Sequence, residues 1–119
     1  MQVGIDIIEI DRFTDLAADP KKLARLFTPA EIAYCQTYTN VAEHLAGTFA
    51  AKESVAKALK TGFNGQVTFH QIEIQRRDHV PYVHLTGAAQ TLFTQSGCTQ
   101  IDLSIAHDRT TATAICVLN

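Results

Sequence analysis

The sequence predicts an α+β fold in which a mostly antiparallel sheet packs on one long helix. Three observations carry this. Helix-start signals crowd the first half of the chain, β-branched runs broken by turn residues fill the second, and the longest helical stretch precedes those runs. Segregated helices and hairpins belong to α+β architecture, whereas alternating strands and helices would build a parallel sheet. A chain of 119 residues is expected to form a single domain over 1–119 with one modest core.

The elements follow in order. Val3 to Ile10 is isoleucine-rich and bounded by Asp11-Arg12, which reads as a strand. Asp19-Pro20 places a capping side chain before a proline at the first helical position. Thr28-Pro29-Ala30-Glu31 does the same and adds the glutamate of a capping box, starting a helix that runs to about Thr37. Asn40 with Glu43 repeats the cap-and-glutamate pair, and Gly62 is the expected stop of the longest helix. Val67 to Arg76 and Pro81 to Thr86 read as a hairpin turning at Arg77-Asp78-His79. Ala88 to Gln95 is a short helix ended by Gly97. Ile101 to His107 and Thr111 to Leu118 form a second hairpin around Asp108-Arg109-Thr110.

Composition narrows the classes of function. Apolar residues make up 46% and charged residues 18% of the chain, which fits a folded globular protein and not a disordered one. No apolar run is long enough to cross a bilayer, and no h-region follows Met1, so a cytoplasmic protein without membrane partners is expected. Cys35, Cys98 and Cys116 are odd in number and far apart, unlike a disulfide framework or a zinc site, and read as small hydrophobes. A net charge of −2 gives no general footprint for nucleic acid. The basic residues gather locally, around Arg12, Lys21, Lys22 and Arg25 and again from Lys52 to Lys60.

Two carboxylates stand where apolar residues are expected. On the longest helix, Ala42, Ala46, Phe49 and Ala56 share the side predicted to face the sheet, and Glu53 projects into it. The plain reading is a surface pair with Lys57 one turn on. Asp6 lies within a strand with isoleucine on both sides, where the plain reading is an edge position facing solvent. Together the two carboxylates are hard oxygen donors from separate elements, the donor set of a magnesium ion completed by water and substrate phosphates. Ser104 and His107, near the end of a strand, are donors that a neighbouring phosphate could use. His44, His70, His79 and His84 show no ligand spacing and receive no role.

Gly4-Ile-Asp6-Ile-Ile-Glu9 with Arg12, Glu43-His-Leu-Ala-Gly-Thr-Phe-Ala-Ala-Lys52-Glu53, Lys57-Ala-Leu-Lys-Thr-Gly62 and Ser104-Ile-Ala-His107-Asp occur in this order along the chain. This set resembles the holo-acyl-carrier-protein synthase family, the short type of 4′-phosphopantetheinyl transferase. The resemblance implies a homotrimer with coenzyme A between neighbouring subunits. It implies transfer of phosphopantetheine to a serine of the acyl carrier protein of fatty acid biosynthesis. Residue by residue, it makes Asp6 and Glu53 ligands of Mg2+, and Glu53 and Lys57 the catalytic pair. Lys57 and Gly62 would meet coenzyme A, with Ser104, Ala106 and His107 along its nucleotide end. Arg12, Lys21, Lys22 and Arg25 would dock the acidic carrier.

Some positions depart from the family pattern. Thr48 stands where arginine is common, which removes a phosphate or carrier contact. Lys60 stands where glycine is common. These two changes bear on coenzyme A affinity and keep open a second reading, a small module that binds a nucleotide without turnover. A third, a magnesium-dependent pyrophosphate hydrolase, lacks the acidic cluster needed to hold further metals.

Overall fold

In the computed structural model, which describes residues 1–119, the chain opens with strand β1 (Gln2–Glu9) and turns through two short 3-10 segments. Helices α1 (Pro20–Leu26), α2 (Pro29–Gln36) and α3 (Val41–Ala58) follow. The second half supplies β2 (Ile72–Arg77), β3 (Val80–Leu85), α4 (Gly87–Gln95), β4 (Ile101–His107) and β5 (Thr111–Leu118). All pairing is antiparallel, with β1-β5-β4 as one sheet and β2-β3 as a separate hairpin. The α+β class holds. No helix is long and apolar enough to cross a membrane.

Local chemistry explains most of the boundaries. Asp19 accepts a bond from the Lys22 amide ahead of Pro20, and Thr28 with Glu31 forms the full capping box at α2. At α3 the expected cap is not made. Asn40 instead donates to the Glu43 carboxylate at 2.6 Å and leaves the helix N–H groups alone. The β2–β3 turn is tighter than expected, because Arg77 pairs with Val80 and only Asp78 and His79 lie between, both at positive φ. Residues 67–71 are not strand either. Asn64 bends the chain by accepting from the amides of Gln66 and Val67, and Phe69 stacks on Phe63 at 3.9 Å. Their apolar character serves side-chain packing, with no partner strand beside them.

Helix α3 is enclosed on nearly every side, so the single stripe read from the sequence is incomplete. The row that meets the sheet contains small residues. A Cβ on Gly4 of β1 would fall 1.9 Å from the Ser54 carbonyl oxygen, and one on Gly47 would fall 3.1 Å from Ile105 of β4. Glycine at these crossings lets the strands approach the helix backbone. Phe49 faces away from that row, into an aromatic cluster with Phe13, Phe27 and Phe69. A reading based on hydrophobicity missed the contact face because glycine and serine carry it.

A buried ion pair ties the other side of α3 to its neighbours. Lys52 Nζ donates to Glu31 Oε1 at 2.6 Å, with both side chains 0% exposed. The same carboxylate accepts from the Thr28 amide of the capping box and the Ile74 amide of β2, each at 2.8 Å. Burial favours the neutral amine and lowers the Lys52 pKa, against the pull of Glu31. Lys52 therefore belongs to the core and not to a surface basic cluster. The helix stop is also displaced from expectation. Lys60, not Gly62, takes the left-handed position at φ 63°, with Lys60 N–H bonded to Lys57 and Thr61 N–H to Ala56.

Two stability measurements follow. Glu31→Ala or Lys52→Met alone is expected to cost about 3–5 kcal/mol in urea unfolding, because each strands a buried charge. The double replacement Glu31→Met/Lys52→Met should cost less than the sum. Single losses under about 1 kcal/mol would show that the pair is not holding these elements. Lys60→Gly is expected to raise stability by roughly 1 kcal/mol, through relief of the left-handed backbone. An unchanged or lower midpoint would contradict that.

Candidate active site

The first crossing of β1 over α3 assembles a charged group. Even-numbered residues of β1 face the helix, with Gly4 and Ile8 buried, and Asp6 shares their face at 15% exposure. Asp6 does lie on an edge strand, but its face is turned to the helix and not to solvent. Lys57 Nζ donates to Asp6 Oδ1 and to the Ile5 carbonyl, both at 3.0 Å. Lys57 thus serves the strand and leaves Glu53 unpaired, so the expected pair between these helix neighbours does not form.

Glu53 is half-buried beside Asp6. Its pKa is raised, first by burial and then by the Asp6 charge, against the opposing pull of Lys57 and Arg12. The four side chains come from β1, the turn after it, and adjacent turns of α3. Two carboxylates whose fields oppose each other, beside a lysine and an arginine, can hold a cation and a polyanion together.

A second feature lies away from this group. A cleft of about 740 Å³ is bordered by Tyr34, Tyr38, His44, Arg76 and His79, and by Ser104 and His107 of β4. Asp6, Glu53 and Lys57 do not line it. Asp6 and Ile105 both pair with Ala114 of β5, so the two outer strands are about 10 Å apart. His107 Nε2 meets Glu43 Oε1 at 3.0 Å. Tyr38 stacks on His44 with centroids 3.6 Å apart and bonds His79 Nδ1 at 3.0 Å. Burial lowers the His44 pKa.

The remaining sequence-predicted residues are dispersed. Ala106 and Ser104 are exposed, on the face of β4 away from α3, and Ala106 does not border the cleft. Gly62 lies in the exposed turn after α3, with open space around it. Arg12 and Lys22 rim one shallow hollow with Asp15 and Asp19, and Lys21 and Arg25 are exposed on α1. Tyr34, Tyr38, His44, Arg76 and His79 were missed. The signals were a Tyr-x-x-x-Tyr spacing across the end of α2, where Tyr34 and Tyr38 bond each other at 2.9 Å, and the I-x-I-x-R alternation that turns Arg76 toward the core side of β2. His70 is structural, its Nε2 lying 2.6 Å from the Ala24 carbonyl at the end of α1.

Comparison with known proteins identifies the family. Residues 2–116 match the model of the 4′-phosphopantetheinyl transferase superfamily. The holo-[acyl-carrier-protein] synthase of Clostridium acetobutylicum is 44% identical over 118 residues, covering 98% of this chain and 94% of that protein. Its counterpart in Geotalea daltonii is 42% identical, with 97% and 94% covered. The chain belongs to the holo-[acyl-carrier-protein] synthase family. It is thereby an enzyme, a 4′-phosphopantetheinyl transferase.

Solved members of the family share the fold. The Neisseria meningitidis synthase superposes with a TM-score of 0.86 at 28% identity, covering 99% of this chain and 97% of that one. The Helicobacter pylori synthase, solved in complex with coenzyme A, gives 0.81 at 28% identity, with 98% and 99% covered. Thr48, where the sequence reading expected a lost contact, is fully buried. Its Oγ1 donates to the His44 carbonyl at 2.8 Å and accepts from Arg76 Nη2 at 3.1 Å.

The raised Glu53 pKa makes a signed prediction. The folded state holds this proton more tightly than the unfolded chain, so the carboxylate costs stability above its raised pKa and costs nothing below about pH 4. In chelator, Glu53→Gln should therefore melt higher than the parent at pH 7, with the gap closing on acidification. A lower melting temperature for the variant at pH 7 would mean that Glu53 is held by a favourable ion pair.

Proposed function

We propose that the chain, as one catalytic domain over 1–119, transfers 4′-phosphopantetheine from coenzyme A to a serine of apo-acyl carrier protein. The other product is 3′,5′-adenosine bisphosphate. The observation that carries this is the convergence of Asp6, Glu53 and Lys57 where β1 crosses α3. The residues fit a magnesium ion. Both carboxylates are hard donors on separate elements, and the Asp6 field on Glu53 is the repulsion a cation relieves. Asp6 and Glu53 would hold the ion, which when bound neutralises the diphosphate and polarises it toward attack.

The chain's own residues do the rest. The serine oxygen forms a bond to the β-phosphorus, and the bond from that phosphorus to the bridging oxygen breaks. Its electron pair leaves on the adenosine bisphosphate. Lys57, half-exposed and anchored on the Ile5 carbonyl, would stabilise that developing charge. Glu53, at the edge of the same group, is the carboxylate placed to take the serine proton. Catalysis is then mainly positioning and charge neutralisation, the usual demand of phosphoryl transfer.

The surroundings support the partners. Val3, Ile5, Ile7 and Ile115 form an exposed apolar stripe on the outer face of the sheet, with Ile7 at 72%. A homotrimer would cover that stripe and bring Ser104 and Ala106, on the same face, beside a neighbour's substrate. Arg12, Lys21, Lys22 and Arg25 would receive the acidic carrier in the cytoplasm, supplying fatty acid biosynthesis.

The test is intact mass spectrometry of apo-acyl carrier protein after incubation with the enzyme, coenzyme A and magnesium. One phosphopantetheine should be gained, and EDTA should abolish the gain. Asp6→Ala, Glu53→Ala and Lys57→Ala should each lower kcat roughly 100- to 1,000-fold. Bound coenzyme A with no mass gain would instead indicate a nucleotide-binding module without turnover.

A further inference from the structure

Arg76 is held by the protein through only part of its guanidinium. Its Nη1 is buried and has no hydrogen-bond partner, alone among the side-chain atoms of the protein in this respect. None of the ion pairs includes Arg76. Natural proteins rarely leave a buried guanidinium nitrogen bare, because its lost hydration must be replaced. The group is nevertheless fixed in place. Nη2 donates to Thr48 Oγ1 at 3.1 Å, and the guanidinium lies over the Tyr34 ring, 4.4 Å from its centroid. Arg76 borders the same cleft as Ser104 and His107.

The sequence around it fits this arrangement. Thr48 is short enough to be buried and to act as an acceptor. The threonine leaves room for a guanidinium delivered from β2. Alternation along β2 puts Arg76 on the side of Ile72 and Ile74, a core-facing position where arginine is otherwise disfavoured.

We propose that Arg76 is the binding residue for the phosphate of the nucleotide substrate that lies outside the diphosphate, and so sets selectivity for it. This rests on the transferase reading above. Coenzyme A carries one such phosphate, on the ribose 3′-oxygen. The reacting diphosphate belongs with Lys57 and the carboxylates, none of which lines the cleft. Arg76 therefore contributes to substrate affinity and little to the chemical step.

The experiment compares coenzyme A with dephospho-coenzyme A, in the parent and in Arg76→Gln, using purified enzyme and apo-carrier. The parent should prefer coenzyme A. Arg76→Gln should raise the KM for coenzyme A roughly 10- to 100-fold, with kcat and the KM for dephospho-coenzyme A little changed. Adding Thr48→Arg to Arg76→Gln should restore the preference. A variant that keeps the preference, or loses both substrates equally, overturns the proposal. Should Arg76→Gln not fold, calorimetry on the parent and on Thr48→Val decides. The parent should bind adenosine 3′,5′-bisphosphate more tightly than adenosine 5′-monophosphate, and Thr48→Val should narrow the gap. Equal affinities overturn the proposal. Because calorimetry needs no carrier, it separates failure here from failure of the transferase reading.

Discussion

Strand β1 crosses helix α3 at Gly4, so closely that any side chain there would collide with the helix backbone near Ser54 and Ala58. That contact sets the distance between strand and helix, and the distance sets the chemistry. Asp6 is the next residue on the same face of the strand, and Glu53 and Lys57 flank the crossing on the helix. A separation larger by one methyl group would move Asp6 away from Lys57, whose bond to it is 3.0 Å. The pair would then be a water-separated contact of little value. The glycine is therefore part of the site, although it touches no ligand.

The buried Glu31–Lys52 pair performs the corresponding task on the other side of α3. Glu31 grips the start of α2, the middle of α3 and the Ile74 amide of β2 with two oxygens. Ile74 is two residues from Arg76, so the same carboxylate sets the height of β2 against the helix. It thereby decides that Arg76 reaches Thr48. An apolar replacement could match the stability of such a pair. It could not accept from the two amides, and Thr28 N–H and Ile74 N–H would be left bare.

How much of this was legible depended on which interaction carried the information. Local signals read well. The Thr28-Glu31 box, the proline starts and the turn at Asp108 are short-range chemistry, and each appears in the structure. Asp6 and Glu53 stood out because a carboxylate among isoleucines or alanines conflicts with its surroundings. What failed was the inference from composition to long-range pairing, together with two local signals, the Asn40 cap and the Gly62 stop. Val67 and Phe69 have strand-like side chains but no partner strand. Lys52 reads as a surface charge until Glu31, 21 residues away, comes into contact with it. Lys60 takes the left-handed stop because the Schellman bonds close there, with Gly62 two residues too late. The alternation along β2 marks Arg76 as core-facing, but its meaning lies in what Thr48 and Tyr34 do around it.

Position 48 shows how a neutral residue on α3 can hold a charge delivered by another element. An arginine on α3 would have to turn its own long side chain toward the cleft. A threonine there gives up that charge, but it supplies an acceptor and enough space for a guanidinium from β2. The cation is then held by a hydroxyl and an aromatic face, which constrain it more than a freely rotating helix arginine would be constrained. Fewer rotamers are lost when an anion arrives, so the same charge can bind with a smaller entropic cost.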